Sequence, residues 1–162
     1  MWELTSTNST LLNRITLDEG SISYQKKIGT FKNGVFVQYN DTLGKPTIGY
    51  GHLVLLNESF NKGLTPDKAL SLLSSDLSTA VDGAKSLYEQ NNLSCPLYIQ
   101  IILTCLVFQI GKSGVAKFKK FLGALKKQDY ELAAQELKNS KLYTQTPNRI
   151  QNYISQLTSG NK

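Results

Sequence analysis

The chain has 162 residues, 40% hydrophobic and 19% charged, which suits one compact globular domain or two small lobes sharing a core and excludes disorder except at the ends. Lys and Arg number 18 against 12 Asp and Glu, and the resulting net charge of +6 draws the protein toward anionic surfaces in a salt-dependent way. Nucleic acid, membrane and cell wall all meet that description, so charge alone does not choose among them.

The opening residues, Met1-Trp2-Glu3-Leu4-Thr5-Ser6-Thr7-Asn8, have neither a basic start nor an apolar run of signal-peptide length, so a product held in the cytosol until something else exports it is expected. Leu11, Leu12 and Ile15 then predict a short amphipathic helix over 8–19, with Asn8 or Ser9 as N-cap and Gly20 just past its end. From Tyr24 to Leu56 the pattern turns to alternation and turn residues. It runs through Ile28 to Phe31, Lys32-Asn33-Gly34, Val35 to Tyr39, the Gly44 turn and Thr47-Ile48-Gly49. Asn33-Gly34 is a hairpin signal, and a small antiparallel sheet of three or four strands is expected in a lobe over about 22–57.

Thr65 and Pro66 open a long helix carried by Leu70, Leu73, Leu77, Ala80, Val81 and Ala84, the start of an all-helical lobe over about 65–160. Pro96 opens an apolar helix ending at Gln109-Ile110-Gly111. Its apolar stretch is broken by Gln100, Thr104 and Gln109 and is shorter than the roughly 20 residues a bilayer span needs, so it reads as buried rather than transmembrane. Cys95 and Cys105 on or beside that helix would stand about 15 Å apart at ~1.5 Å per residue, too far for a disulfide. Helices around Val115 to Lys127, Asp129 to Asn139 and Thr146-Pro147 to Gly160 complete the lobe. The fold class is therefore α+β: a small antiparallel β-hairpin lobe plus a larger all-helical lobe.

Among residues able to carry chemistry, Glu19 stands at a helix C-terminus beside Asp18, and both the helix dipole and the neighbouring charge favour its protonated form. A carboxyl so placed suits a general acid; it also fits a surface acid next to a capping glycine. Asp41, between Asn40 and Thr42, reads equally as an Asx-turn residue, and Thr47 as a strand former. An acid on a helix end and a second acid on a facing hairpin make a plausible sugar-cleaving pair.

His52 is the one histidine, which makes a zinc site hard to assemble and leaves a pairing with a carboxylate, Asp76 being the candidate. No metal or other cofactor is implied. Gly49-Tyr50-Gly51 lacks the third glycine and following helix of a nucleotide loop. Lys112, Lys117, Lys119, Lys120, Lys126 and Lys127 accompany an apolar stripe of Phe118, Phe121, Leu122 and Leu125. That segment is either a core-facing helix with a solvated lysine face or one that touches an anionic surface. These lysines lack the aromatic-interleaved sheet or recognition helix of a nucleic-acid binder, so no nucleic-acid partner is expected.

Four stretches in order resemble the phage-type, T4-like lysozymes, glycoside hydrolase family 24. They are Leu17-Asp18-Glu19-Gly20; Tyr39-Asn40-Asp41-Thr42 with Pro46 to His52; Phe108-Gln109-Ile110-Gly111 with Gly114 to Phe118; and Tyr143 to Arg149. The resemblance implies a single lysozyme-like domain over 1–162. It also implies a peptidoglycan muramidase cleaving the β-1,4 bond between N-acetylmuramic acid and N-acetylglucosamine. By the same resemblance Glu19 is the general acid, Asp41 stabilises charge or steers water, and Thr47 holds the water. Leu53 and Phe108 contact substrate, His52 with Asp76 forms a structural ion pair, and Arg149 lies near the catalytic acid.

The segment between Glu19 and Asp41 is longer than in the family pattern, and that from His52 to Thr65 is shorter, so the small helix expected there should be missing or reduced to a turn. The partner implied is peptidoglycan, met by a monomer that waits in the host cytoplasm. A holin, or a tail or secretion apparatus, would give it passage to the wall or periplasm. Two other readings share these residues: a lytic transglycosylase, and a non-catalytic wall-binding module of a tail or toxin.

Overall fold

The computed structural model describes residues 1–160; the last two residues of the expected domain lie outside them. They form two compact units, one over Ser6–Leu77 and one made of Met1–Thr5 with the chain from Ser78 onward. The architecture is α+β, with short antiparallel strands confined to the first unit and helices dominating the second.

In the first unit α1 (Ser9–Glu19) is capped by Asn8, whose Oδ1 accepts from the Leu11 amide at 2.9 Å. Leu11 and Ile15, one turn apart, are the residues it buries, and Gly20 ends it at φ 100°. The chain then forms α2 (Ile22–Ile28) where extended structure is expected from Tyr24. Ser21 caps its start and Gly29, in the left-handed region, its end, so helical order stops just short of Phe31.

The expected sheet is two sheets. β1 (Phe31–Lys32) pairs with β2 (Val35–Phe36) around Asn33-Gly34, whose positive φ values of 55° and 79° suit the tight turn that hairpins favour. β3 (Tyr39–Asn40), β4 (Pro46–Ile48) and β5 (His52–Leu53) form a separate antiparallel sheet in the order β3-β4-β5. Phe31, Phe36, Ile48, Leu64 and Ala69 make this unit's core, with the Phe31 and Phe36 rings edge to face at 4.8 Å. No helix forms between β5 and Pro66, as the short segment there leads one to expect.

α3 (Pro66–Gln90) begins in the first unit and ends in the second. In the second unit α4 (Leu97–Ala116) does not stop at Gly111 as expected. That glycine takes φ 80° and ψ 162°, kinking the helix, and helical order resumes to Ala116. With 20 residues and a mean hydropathy of 1.5, α4 is long and apolar enough to cross a membrane, yet Ile99 to Val107 are buried within the unit, the pattern of a core helix.

The one long helix expected from Val115 breaks at Lys117 and Phe118, leaving α5 (Lys119–Lys126). Phe121, Leu122 and Leu125 on it are 0–3% exposed, so the apolar stripe is core and the lysines are its solvated face. α6 (Tyr130–Lys138), α7 (Lys141–Gln145) and α8 (Pro147–Ser159) follow; α7, a single short turn, is unforeseen in the sequence. Cys95 and Cys105 are both buried, and neither forms a disulfide.

Candidate active site

Glu19 is the last residue of α1, and its side chain reaches the turn between β4 and β5. A Cβ built on Gly51 would lie 2.5 Å from Glu19 Oε2, 2.6 Å from Cδ and 2.8 Å from Cγ. The carboxyl therefore rests in space that any other residue at position 51 would fill. Gly51 also holds φ at 79°, a conformation side chains resist. The Gly49-Tyr50-Gly51 segment serves as a platform for a carboxyl rather than a cradle for a phosphate.

Asp41 follows β3 and behaves as the Asx-turn residue that its neighbours predict. Its Oδ1 accepts from the amides of Leu43 at 2.9 Å and Lys45 at 2.8 Å, while its own amide donates to the Lys45 carbonyl at 2.9 Å. The turn reading and the functional reading are compatible, because one oxygen fixes the loop while Oδ2 accepts no hydrogen bond among the described residues. Thr47 is the middle residue of β4, 4% exposed, facing Tyr39 on one side and Leu53 on the other. Its hydroxyl donates to the Lys45 carbonyl at 3.0 Å, which leaves its lone pairs able to accept from a water. Asp41 and Glu19 thus belong to opposite ends of β4, with Thr47 between them along the strand.

His52, 9% exposed, joins Asp76 as the sequence suggests, Nδ1 to Oδ2 at 2.8 Å. Its other nitrogen meets Glu58, Nε2 to Oε1 at 2.9 Å, a partner the sequence reading missed. Burial pushes the imidazole pKa down, but the hydrogen bonds and charges of the two carboxylates outweigh it and hold the pKa above its ordinary value. Glu58 is held below the usual carboxylate range, chiefly by the Leu55 amide at 2.8 Å and further by His52. No group of three His, Cys, Asp or Glu side chains among the described residues is arranged to hold a metal ion.

Leu53 stands 46% exposed opposite Thr47, available to an apolar sugar face. Phe108 lies half-buried on α4 and Arg149 half-buried in the first turn of α8, both in the second unit. A second residue missed in the sequence is Gln25, a buried amide on α2 that donates to the Gly20 carbonyl at 2.9 Å and the Gly49 carbonyl at 3.0 Å.

The family model described as phage lysozyme matches residues 30–150. That stretch leaves out Glu19, Gly20 and Gln25, so in the structure Glu19 is marked by its seat against Gly51. The chain is 32% identical over 149 residues to a probable T4-type lysozyme 2 of Dictyostelium discoideum, covering 75% of this chain and 85% of that protein. It is 28% identical over 145 residues to the pre-baseplate central spike protein Gp5 of Enterobacteria phage T4, covering 76% of this chain but 25% of that one. Over 142 residues it is 26% identical to the peptidoglycan hydrolase gp36 of Pseudomonas phage phiKMV, covering 87% of this chain and 16% of that one.

Proposed function

The chain belongs to the phage lysozyme family, and from that premise we propose that it is a peptidoglycan muramidase hydrolysing the β-1,4 bond between N-acetylmuramic acid and N-acetylglucosamine. The observation that carries the reading is the division of labour along β4. Glu19 is seated on Gly51 beyond one end, Asp41 is fixed by its own turn at the other, and the Thr47 hydroxyl lies between. Glu19 donates its proton to the glycosidic oxygen as the bond to the anomeric carbon breaks. Asp41 and Thr47 direct a water to the opposite face of the oxocarbenium-like centre, and the proton that the water loses passes to Asp41.

Attack by that water on the face opposite the departing oxygen would invert the anomeric carbon. Leu53 and Phe108 are the proposed sugar contacts, and Arg149 is proposed as structural support. We place the protein in the host cytoplasm before release. Passage to the wall would be by a membrane hole or a tail apparatus, the latter in keeping with the likeness to a phage central spike protein.

The test is clearing of purified bacterial walls by the wild type and by Glu19→Gln, with mass spectrometry and NMR of the soluble fragments. Reducing muramic ends released first as the α-anomer, and a loss of turnover of about 100-fold or more in the variant, are expected. Anhydro ends would replace hydrolysis by transglycosylation. A folded wild type that binds walls without clearing them would leave a binding module.

A further inference from the structure

Gln25 is 1% exposed, an unusual place for a side-chain amide, and both ends of that amide are engaged. Nε2 donates to the carbonyls of Gly20 at 2.9 Å and Gly49 at 3.0 Å, and Oε1 accepts from the Thr30 hydroxyl at 3.0 Å. Two carbonyls can be satisfied only by the NH₂ end, so the amide has one orientation.

The two carbonyls are not arbitrary. Gly20 directly follows Glu19, and Gly49 is two residues from Gly51, on which the Glu19 carboxyl rests. Both glycines hold positive φ, 100° and 67°, at points where the backbone is freest to rotate. One buried amide therefore fastens the chain that supplies the acid to the turn that seats it, and Thr30 keeps the amide from turning.

We propose that Gln25 is a positioning residue for Glu19, holding its carboxyl at the height from which it reaches the glycosidic oxygen. The inference rests on the reading of Glu19 as the acid. Gln25 touches no substrate and moves no proton; it acts through the Gly20 and Gly49 backbone. A misplacement of about 1 Å in such a group costs on the order of 100-fold in rate.

The experiment compares Gln25→Leu and Thr30→Val with the wild type and Glu19→Gln on soluble peptidoglycan fragments, well below each variant's melting temperature. In Gln25→Leu, kcat should fall about 10- to 100-fold with KM little changed, and the limb of the pH–rate profile that depends on Glu19 should move. Thr30→Val should shift both quantities in the same direction by less. A folded Gln25→Leu with wild-type kcat and an unmoved limb would overturn the inference. If Gln25→Leu does not fold, wild-type kcat in Thr30→Val does the same. Failure of the parent reading looks different, since Glu19→Gln would then keep turnover; with Glu19→Gln inactive, wild-type behaviour of the other variants sinks the positioning role alone.

Discussion

At the scale of single residues, the Glu19 carboxyl is placed by the absence of a side chain on Gly51. Gly51→Ala would put a methyl within 2.5 Å of Glu19 Oε2 and also force an L residue to φ 79°. Gly34→Ala imposes the same backbone cost, since Gly34 also sits at φ 79°, but with nothing within 4 Å of the added methyl. Both variants should lose about 1–2 kcal/mol in urea unfolding, and only Gly51→Ala should lose turnover, by about 100-fold. Equal activity in the two would show that the Glu19 seat on Gly51 is irrelevant to chemistry. The Asx turn at Asp41 was legible from its Asn40 and Thr42 neighbours, and the His52–Asp76 pair because a lone histidine beside a glycine turn calls for a carboxylate partner on the long helix. Gln25 was not, because a glutamine in a polar stretch carries no sign that the fold will bury it, and Glu58 was not, because an acid in an irregular loop has no periodicity to reveal its partner.

At the scale of elements, the tie among β5, the loop after it and α3 is ionic and pH-dependent. His52 on β5 bridges Asp76 of α3 and Glu58 of the loop, with its pKa raised above 6.5 and that of Glu58 lowered below 4.5. Between 6.5 and the raised value the folded protein binds more protons than the unfolded chain, so the His52 contribution, complete below 6.5, is lost as pH rises. The Glu58 contribution, complete above 4.5, is lost as pH falls through its lowered value. Together they place the firmest clamp between 4.5 and 6.5. Asp76→Asn should cost about 1–2 kcal/mol in that window and less near pH 8, read from thermal unfolding at both pH values. A penalty independent of pH would mean that the pair is held by packing and not by charge. The same scale explains what was misread in the fold. α2 escaped notice because the residue it buries is Gln25, so its sequence shows no apolar helical period, although Ser21 and Gly29 marked both its ends. The long α3 and the α8 start at Pro147 were legible, because proline and apolar spacing agree there.

At the scale of the whole molecule, the exposed lysines are other residues than those proposed for catalysis, and the two contributions can be separated. The +6 net charge comes from 18 basic against 12 acidic side chains, with Lys117, Lys119 and Lys120 exposed around the start of α5. Because Phe121, Leu122 and Leu125 face the core, these lysines are left to meet solvent or an anionic polymer, and attraction by such exposed charges is screened over about 10 Å at ~0.1 M salt and ~3 Å at ~1 M. If the charge concentrates the enzyme on a wall bearing anionic polymers, retention of inactive Glu19→Gln on purified walls should fall steeply with added salt. Reversing Lys117, Lys119 and Lys120 to Glu changes the charge by six, from +6 to zero, and should flatten that salt response while leaving kcat on short neutral fragments unchanged. Walls stripped of their anionic polymers should make wild type and reversal variant indistinguishable in sedimentation. Retention that survives both salt and charge reversal would instead place the wall affinity in the sugar contacts, Leu53 first among them, because it is the exposed apolar side chain opposite Thr47.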